Sequence, residues 1–498
     1  MDGRHGLSRR AFLGATALGA TAAMLPSLGC APHRLPAARP VPAQRVTTTS
    51  DLTTQVLAAS PLPRFAAVTP GPSDVVVDPA ATYQPFYGTG AALTDSAAYV
   101  LWNYLSPAAR RSLLAELFAP GGPCRWGMLR VCIGSSDFRS EPVGYTYDDL
   151  PSGRTDPGMN HFSVARDRAF IVPVVREILA ANPAVKIVAT PWTPPAWMLA
   201  SGTFEANRCT LSTRWYGAYA AYFVKFLRAY KALGIPVWAV TAQNEPLSAV
   251  FLQLSQSHEE AFIGSHLGPA LASAGFGDVR VLALDDQWTG ASYGTGVLTG
   301  AGRYVSGIAY HGYAGDPSVM SGSRSAHPSA TLHLTEFRNL VKESLATQMA
   351  GTAGGYVAQG VAAGASSVML WNLALDQNGE PNQGKPGRLG VVTVDSSTGA
   401  ITRRTGYYAL AQMSMSAQPG ALRCAATTFG AAYVAYQTYP DAVTTAALVN
   451  PDGSVVLYAY NGHPSPATFQ VVDARTSRGT TVTMAAGELS TFSWPAGQ

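Results

Sequence analysis

Eight short apolar runs recur along the middle of the chain. Each is followed by a polar or aromatic cluster and then by a stretch with helical spacing. The runs are Gly90–Leu93, Met128–Ile133, Ile187–Thr190, Val237–Ala242, Val279–Leu284, Gly307–Tyr310, Leu332–Thr335 and Val368–Leu373. Continuous rather than alternating apolar character marks strands buried on both faces, the condition of a parallel sheet covered by helices. Eight such units predict closure into a (β/α)8 barrel. The intervening helices carry their own start and stop signals. Ser106-Pro107 places a cap before a proline at the first helical position. Ser257-His258-Glu259-Glu260 fits a capping box ahead of a helix over Ala261–Ala274. Trp215, Tyr219, Tyr222, Phe223, Phe226, Leu227 and Tyr230 recur at helical spacing, and Gly234 follows as a stop. These aromatics read as core.

The flanks follow a different period. From about residue 421 to 498 the helical spacing disappears. Alternating segments such as Ser454–Tyr460 and Thr480–Met484 are separated by the turn signals Asn450-Pro451-Asp452-Gly453, Asn461-Gly462 and Arg478-Gly479. That pattern predicts a small antiparallel β-sandwich attached to a barrel over 83–420. Residues 46–82 hold β-prone pieces such as Asp74–Asp78 and are expected to add strands to the sandwich. Residues 31–45, rich in proline and alanine, read as a tether.

Composition narrows the class. With 498 residues, 47% hydrophobic and 13% charged, the chain can bury a large core, and disorder is excluded over most of its length. The net charge is only +4, half of it contributed by Arg4, Arg9 and Arg10 against Asp2 in the first 30 residues, so a nucleic-acid partner is not expected. Ser8-Arg9-Arg10-Ala11-Phe12-Leu13, the apolar run Ala15–Leu28 and Gly29-Cys30 read as a twin-arginine export signal. The run is shorter than the roughly 20 residues that span a bilayer. Leu28-Gly29-Cys30 resembles a lipobox, which makes Cys30 the lipidation candidate and a membrane tether the expectation, although Ser27 stands where leucine is usual. The other cysteines, Cys124, Cys132, Cys209 and Cys424, show no metal-ligand spacing, and Cys132 reads as a buried thiol.

A barrel carries its chemistry at the C-terminal ends of its strands. There the runs lead into Thr94-Asp95, Ser135-Ser136-Asp137, Trp192, Asn244-Glu245-Pro246, Asp285-Asp286, His311 with Tyr313, Glu336, and Trp371-Asn372. A cleft lined by carboxylates and tryptophans suits sugars, because indole faces pack on pyranose C–H faces while carboxylates and amides take the hydroxyls. Cleavage of a glycosidic bond needs one carboxyl to protonate the leaving oxygen and another to attack or stabilise the anomeric carbon. Glu245 and Glu336 each end an apolar run, where a charge without a role is costly to bury. Their 91-residue separation is about three βα units of roughly 30 residues, so they can face each other across the barrel mouth. Asp285-Asp286 could form a metal pair but lacks a histidine at ligand spacing, so a structural role is the simpler reading. No phosphate loop is present, and no cofactor is required.

Gly90-Ala91-Ala92-Leu93-Thr94-Asp95, Tyr145-Thr146-Tyr147-Asp148-Asp149, Thr190-Pro191-Trp192-Thr193-Pro194-Pro195-Ala196-Trp197-Met198, Asn244-Glu245-Pro246 and Trp371-Asn372-Leu373-Ala374-Leu375 resemble motifs of glycoside hydrolase family 30, the family of lysosomal glucosylceramidase and bacterial β-1,6-glucanases. The likeness runs from about Tyr83 to Gly420. It implies a barrel with an attached β-sandwich and double displacement with retention. It further implies Glu245 as acid/base, Asn244 on the sugar 2-hydroxyl and Glu336 as nucleophile. Asp95, Trp192, Trp371 and Asn382 would bind the terminal sugar together with His311, and Arg130 with Tyr313 would keep the nucleophile ionised. The chain departs from the family at Gly88-Thr89-Gly90, His311-Gly312-Tyr313 and Phe337-Arg338-Asn339, around the expected cleft, which bears on the substrate rather than the reaction. The expectation is therefore a retaining β-glycosidase acting on glucosylceramide-like or β-1,6-linked glucosides. The alternatives are the same mechanism on a galactan, xylan or fucoside, and a polysaccharide-binding protein without catalysis. The paired glutamates speak against the last.

Overall fold

The computed structural model describes residues 41–202, 209–248, 252–430 and 442–498. The export signal, Cys30 and most of the Pro/Ala-rich stretch lie outside the described residues. Eight parallel strands close a barrel in sequence order: β1 (Gly88–Leu93), β2 (Met128–Cys132), β3 (Lys186–Thr190), β4 (Val237–Thr241), β5 (Arg280–Gln287), β6 (Gly307–His311), β7 (Thr331–Glu336) and β8 (Ala365–Leu370), which pairs back onto β1. All eight apolar runs became barrel strands, with ends shifted by up to three residues.

The helix signals act locally. Thr94 accepts the N–H of Ala97 and Ser106 that of Ala109, each opening a helix of the outer ring. The aromatic stripe of the Tyr216–Ala232 helix is buried, and Gly234 ends it with φ 77°. The capping box is displaced by two residues. Ser255, not Ser257, accepts the N–H of His258 and starts the Gln256–Phe262 helix. Glu260, the glutamate of the expected box, accepts instead from Gln256 Nε2 at 2.8 Å, and Glu259 is buried.

The barrel interior has two storeys. Because alternate residues of a strand point to the same side, each strand contributes a lower and an upper interior residue. Met128, Val188, Ala239, Leu282, Ala309 and Met369 form one apolar cluster at the lower level. Further along the same strands lie Arg130, Thr190, Thr241, Asp285, His311 and Trp371. The polar storey is at the C-terminal end, where the βα loops open.

Among the described residues, eleven strands form the β-sandwich. Gln44–Thr48 pairs with Leu489–Trp494, and Val75–Pro85 lies between Leu422–Ala426 and Ala467–Asp473. Both ends of the described chain therefore build this domain, around Phe65, Val77, Leu457, Phe469, Phe492 and Trp494. Gln412, on the Thr405–Ser414 helix of the barrel, donates to the carbonyl of Val46 at 2.8 Å and so ties sandwich to barrel. Cys124, Cys132, Cys209 and Cys424 are all buried free thiols.

Candidate active site

Arg130 organises the polar storey. Its guanidinium is wholly buried and pairs with Glu336 through Nη1, while Nη2 donates to Asp285 Oδ2 at 2.9 Å and Asn244 Oδ1 at 2.8 Å. Burial works against this charge, but Asp285 and Glu336 raise its pKa further above the usual arginine value. Asp285 also accepts from Thr190 and Thr241 at 3.1 and 2.9 Å, and from Thr335 at 2.7 Å. Burial alone would raise its pKa, yet Arg130 and His311 hold it well below the ordinary range.

His311 links the two glutamates to this hub. Nδ1 faces Glu245 Oε1 at 3.1 Å, Nε2 faces Asp285 Oδ1 at 3.2 Å, and Glu336 lies 3.8 Å away. Burial disfavours the imidazolium, but three carboxylates overcome it and raise the pKa to about 10. Burial would also raise Glu245, but the hydrogen bond and charge of His311 prevail and hold it below the usual glutamate value. Tyr313 donates its hydroxyl to Glu336 Oε1 at 3.0 Å.

The central spacing is short. Carboxylate oxygens of Glu245 and Glu336 and a ring nitrogen of His311 lie within 4.8 Å of one another. Two carboxylates and an imidazole can also hold a metal ion. Here the imidazole is protonated near neutrality and directs both nitrogens at carboxylates, so the trio reads as a charge network. Oxygens this close suit the short separation of roughly 5–5.5 Å used for nucleophilic attack better than the roughly 6.5–9.5 Å that admits a water.

Buried aromatic side chains pack at the same end of the barrel. Trp192 and Trp371 stack with centroids 5.1 Å apart, and Phe138 meets Trp371 edge-on at 5.8 Å. The Arg130 guanidinium lies 5.1 Å from the centre of Trp192 and 5.5 Å from that of Trp371. Asp95 accepts from Ser140 N and Oγ at 2.6 and 2.7 Å and from the Tyr145 hydroxyl at 3.2 Å. This fixes its orientation, while burial raises its pKa.

Several expected roles change. His311 was expected on the sugar, but both its nitrogens are engaged by Glu245 and Asp285. Asn244 turns its carbonyl to Arg130, so a hydrogen bond to a sugar hydroxyl must come from its amide nitrogen. Asn382 spends its amide within its own loop, donating to Gly379 O at 2.9 Å and accepting from Lys385 N at 2.7 Å. Asp285 and Asp286 diverge: Asp285 enters the barrel, whereas Asp286 accepts the N–H groups of Leu247 and Gln287. The departure at Thr89 lies outside the cleft, its hydroxyl meeting Ser414 at 2.9 Å. At Gly312, a Cβ would sit 2.4 Å from the Tyr356 ring, which leaves no room for a larger residue.

Two contributors were not singled out from sequence. Gln287 donates to Glu245 Oε1 at 3.2 Å and accepts from Tyr313 N at 3.0 Å, bridging the two sides of the site. Its place two residues after Asp285 at a strand end was the available signal. Asp137 was noted only as a strand-end residue. Burial and then Glu336 push its carboxyl up to about 7, against the opposing charge of Lys385.

A (β/α)8 barrel with a close carboxylate pair and stacked indoles at its C-terminal mouth is the apparatus of a retaining β-glycoside hydrolase. The chain belongs to glycosyl hydrolase family 30: the family's TIM-barrel domain matches residues 86–416 and its beta sandwich domain residues 430–491. An endo-1,6-beta-D-glucanase of Neurospora crassa is 32% identical over 358 residues, covering 69% of this chain and 72% of the relative. The lysosomal acid glucosylceramidase of Mus musculus is 28% identical over 424 residues, covering 78% and 77%. A solved endo-beta1,6-glucanase superposes with a TM-score of 0.78 at 28% identity, covering 91% of this chain and 99% of the other.

Replacing Trp371 with alanine should reduce transition-state binding by about 1–3 kcal/mol, a fall of roughly 5- to 150-fold in kcat/KM. Steady-state kinetics on any cleaved β-glycoside checks this. Unchanged kcat/KM in a folded variant would make Trp371 a core residue only.

Proposed function

We propose that this enzyme hydrolyses β-1,6-linked glucan, with Glu336 as nucleophile and Glu245 as acid/base. The approach of the two carboxylates within 4.8 Å carries the mechanism, and the endo-1,6-beta-D-glucanase relatives support the linkage. In the first step Glu336 attacks the anomeric carbon, the bond to the leaving oxygen breaks, and that oxygen takes the proton of Glu245. In the second, water attacks the glycosyl ester, Glu245 takes its proton, and Glu336 is released. Arg130 and Tyr313 stabilise the negative charge of Glu336 before attack. Trp371 and Trp192 offer apolar surface to the ring, and Asp95 offers acceptors to its hydroxyls.

A glucoside with an apolar aglycone is the second reading. Leu247, two residues after Glu245, is 46% exposed, and Val143 is 69% exposed. Incubation with linear β-1,6-glucan, glucosylceramide in detergent micelles, and xylan separates the readings. Fragments from the glucan support the first. Glucose from the lipid with the glucan untouched supports the second.

The roles of the glutamates separate with azide. Glu245→Ala should cleave an activated aryl β-glucoside well and poor leaving groups badly, and azide should then give the β-glycosyl azide. Glu336→Ala forms no covalent intermediate, so azide attacks directly and gives the α-azide. The same configuration from both variants would overturn the assignment.

The charge of His311 predicts a pH effect. An acid catalyst must start protonated, and Glu245, held below its usual pKa, is protonated only in acid, so kcat/KM falls as pH rises through that value. His311→Gln removes the cation, raises the Glu245 pKa and should move the alkaline limb upward by about one pH unit. A limb that stays in place or moves down would show that His311 does not set this pKa.

A further inference from the structure

β5 carries one residue more than its neighbours between the two storeys of the barrel. Elsewhere the interior positions are two residues apart, as in Met128 and Arg130, Val188 and Thr190, Ala239 and Thr241, or Ala309 and His311. On β5 the interval is three, from Leu282 to Asp285, because the pairing with β6 shifts register between Leu284 and Asp286. Leu284 and Asp285 accommodate the extra residue with φ of 71° and 56°, a region that favours glycine. The Leu284 side chain is sent outward, where a Cβ on Gly290 or Gly294 would meet it at 2.8 or 3.3 Å. Asp285 takes the interior place instead. The same bulge presents the carbonyl of Asp285 to the N–H of Glu245 at 2.9 Å, and Glu245 itself has φ 46°.

One side chain from outside the barrel reaches this bulge. Glu259, on the Gln256–Phe262 helix, is 1% exposed, and its Oε1 accepts the N–H of Leu284 at 3.1 Å. The titratable groups facing it are Tyr293 on the following helix and Asp285 and Asp286 on the strand, and burial pushes its carboxyl up to about 7. A carboxyl in so unfavourable a place needs a use, and the double-displacement steps give it none.

We infer that Glu259 is a positioning residue for the glycosidase reaction. It holds the β5 bulge that turns Asp285 into the barrel and seats the backbone of Glu245. The inference rests on Glu245 as acid/base. Loss of the strut loosens the Asp285–His311–Glu245 alignment, so proton delivery suffers more than sugar binding.

The test uses three variants of the full chain. Glu259→Gln keeps an acceptor at the same reach without the negative charge. Glu259→Asp keeps the charge but withdraws it by one methylene, and Glu259→Ala removes both. Asp and Ala should lower kcat about tenfold on an alkyl β-glucoside, yet change KM and turnover of a dinitrophenyl β-glucoside by no more than about twofold. Gln should restore the rate. If Ala does not fold, the Gln and Asp variants decide between them. Full activity in Asp with loss in Gln would show that charge matters and not the bond to Leu284, and would overturn the inference. Equal losses on both glucosides, or none, would do the same. Failure of Glu245→Ala to depend on the leaving group overturns the acid/base assignment. Leaving-group dependence in Glu245→Ala beside unaffected Glu259 variants overturns only the role of Glu259.

Discussion

The buried guanidinium of Arg130 is the constraint around which the upper barrel is built. Removing such a charge from water costs several kcal/mol after relaxation, and its partners must return that through well-formed contacts. Here Glu336, Asp285 and Asn244 all meet its two terminal nitrogens. Because Arg130 on β2 meets partners from β5, β7 and the end of β4, the ion cluster fixes the relative positions of strands that lie far apart in sequence. Deleting one member leaves another charge uncompensated, which typically costs about 3–5 kcal/mol. Stability and the geometry of the carboxylate pair therefore rest on the same contacts.

The two-storey interior explains how the charges act. Below them, Met128, Val188, Ala239, Leu282, Ala309 and Met369 exclude water. Above them, Trp192 and Trp371 cover Arg130. Charges held between apolar layers interact more strongly than they would at a surface. His311 stays protonated there because three carboxylates surround it, and it in turn keeps Glu245 ionised in the resting site. The strain is local too. Glu245, Leu284 and Asp285 all have positive φ, at a cost on the order of 1–3 kcal/mol each. Such strain persists because surrounding hydrogen bonds over-determine the conformation.

Much of this could be read along the chain. The barrel was legible because each strand is buried on both faces, which leaves a continuous apolar run, and because each helix needs capping chemistry at its ends. Glu245 and Glu336 were legible for a related reason: a carboxylate directly after a buried strand is costly unless it has work to do. The β-sandwich strands announced themselves through alternation and turn residues.

Other features exist only once strands are brought together. His311 and Asn382 stand where sugar-binding residues are expected, yet the hydrogen bonds of His311 go to carboxylates and those of Asn382 to its own loop, and no local pattern encodes that choice. Asp285 and Asp286 are neighbours with opposite destinations because a bulge, defined by pairing with β6, rotates one into the barrel and leaves the other at the rim. The helix starts two residues before the expected box because Ser255 takes the N–H of His258, and Glu259 meets a tertiary partner, the N–H of Leu284, that local helix chemistry cannot foresee. The sequence by itself determined the periodicities, the strand ends and the carboxylates, since these depend on burial and local backbone preference. The tertiary structure decided which charges meet, at what distance and in which protonation state, since those depend on groups up to 206 residues apart.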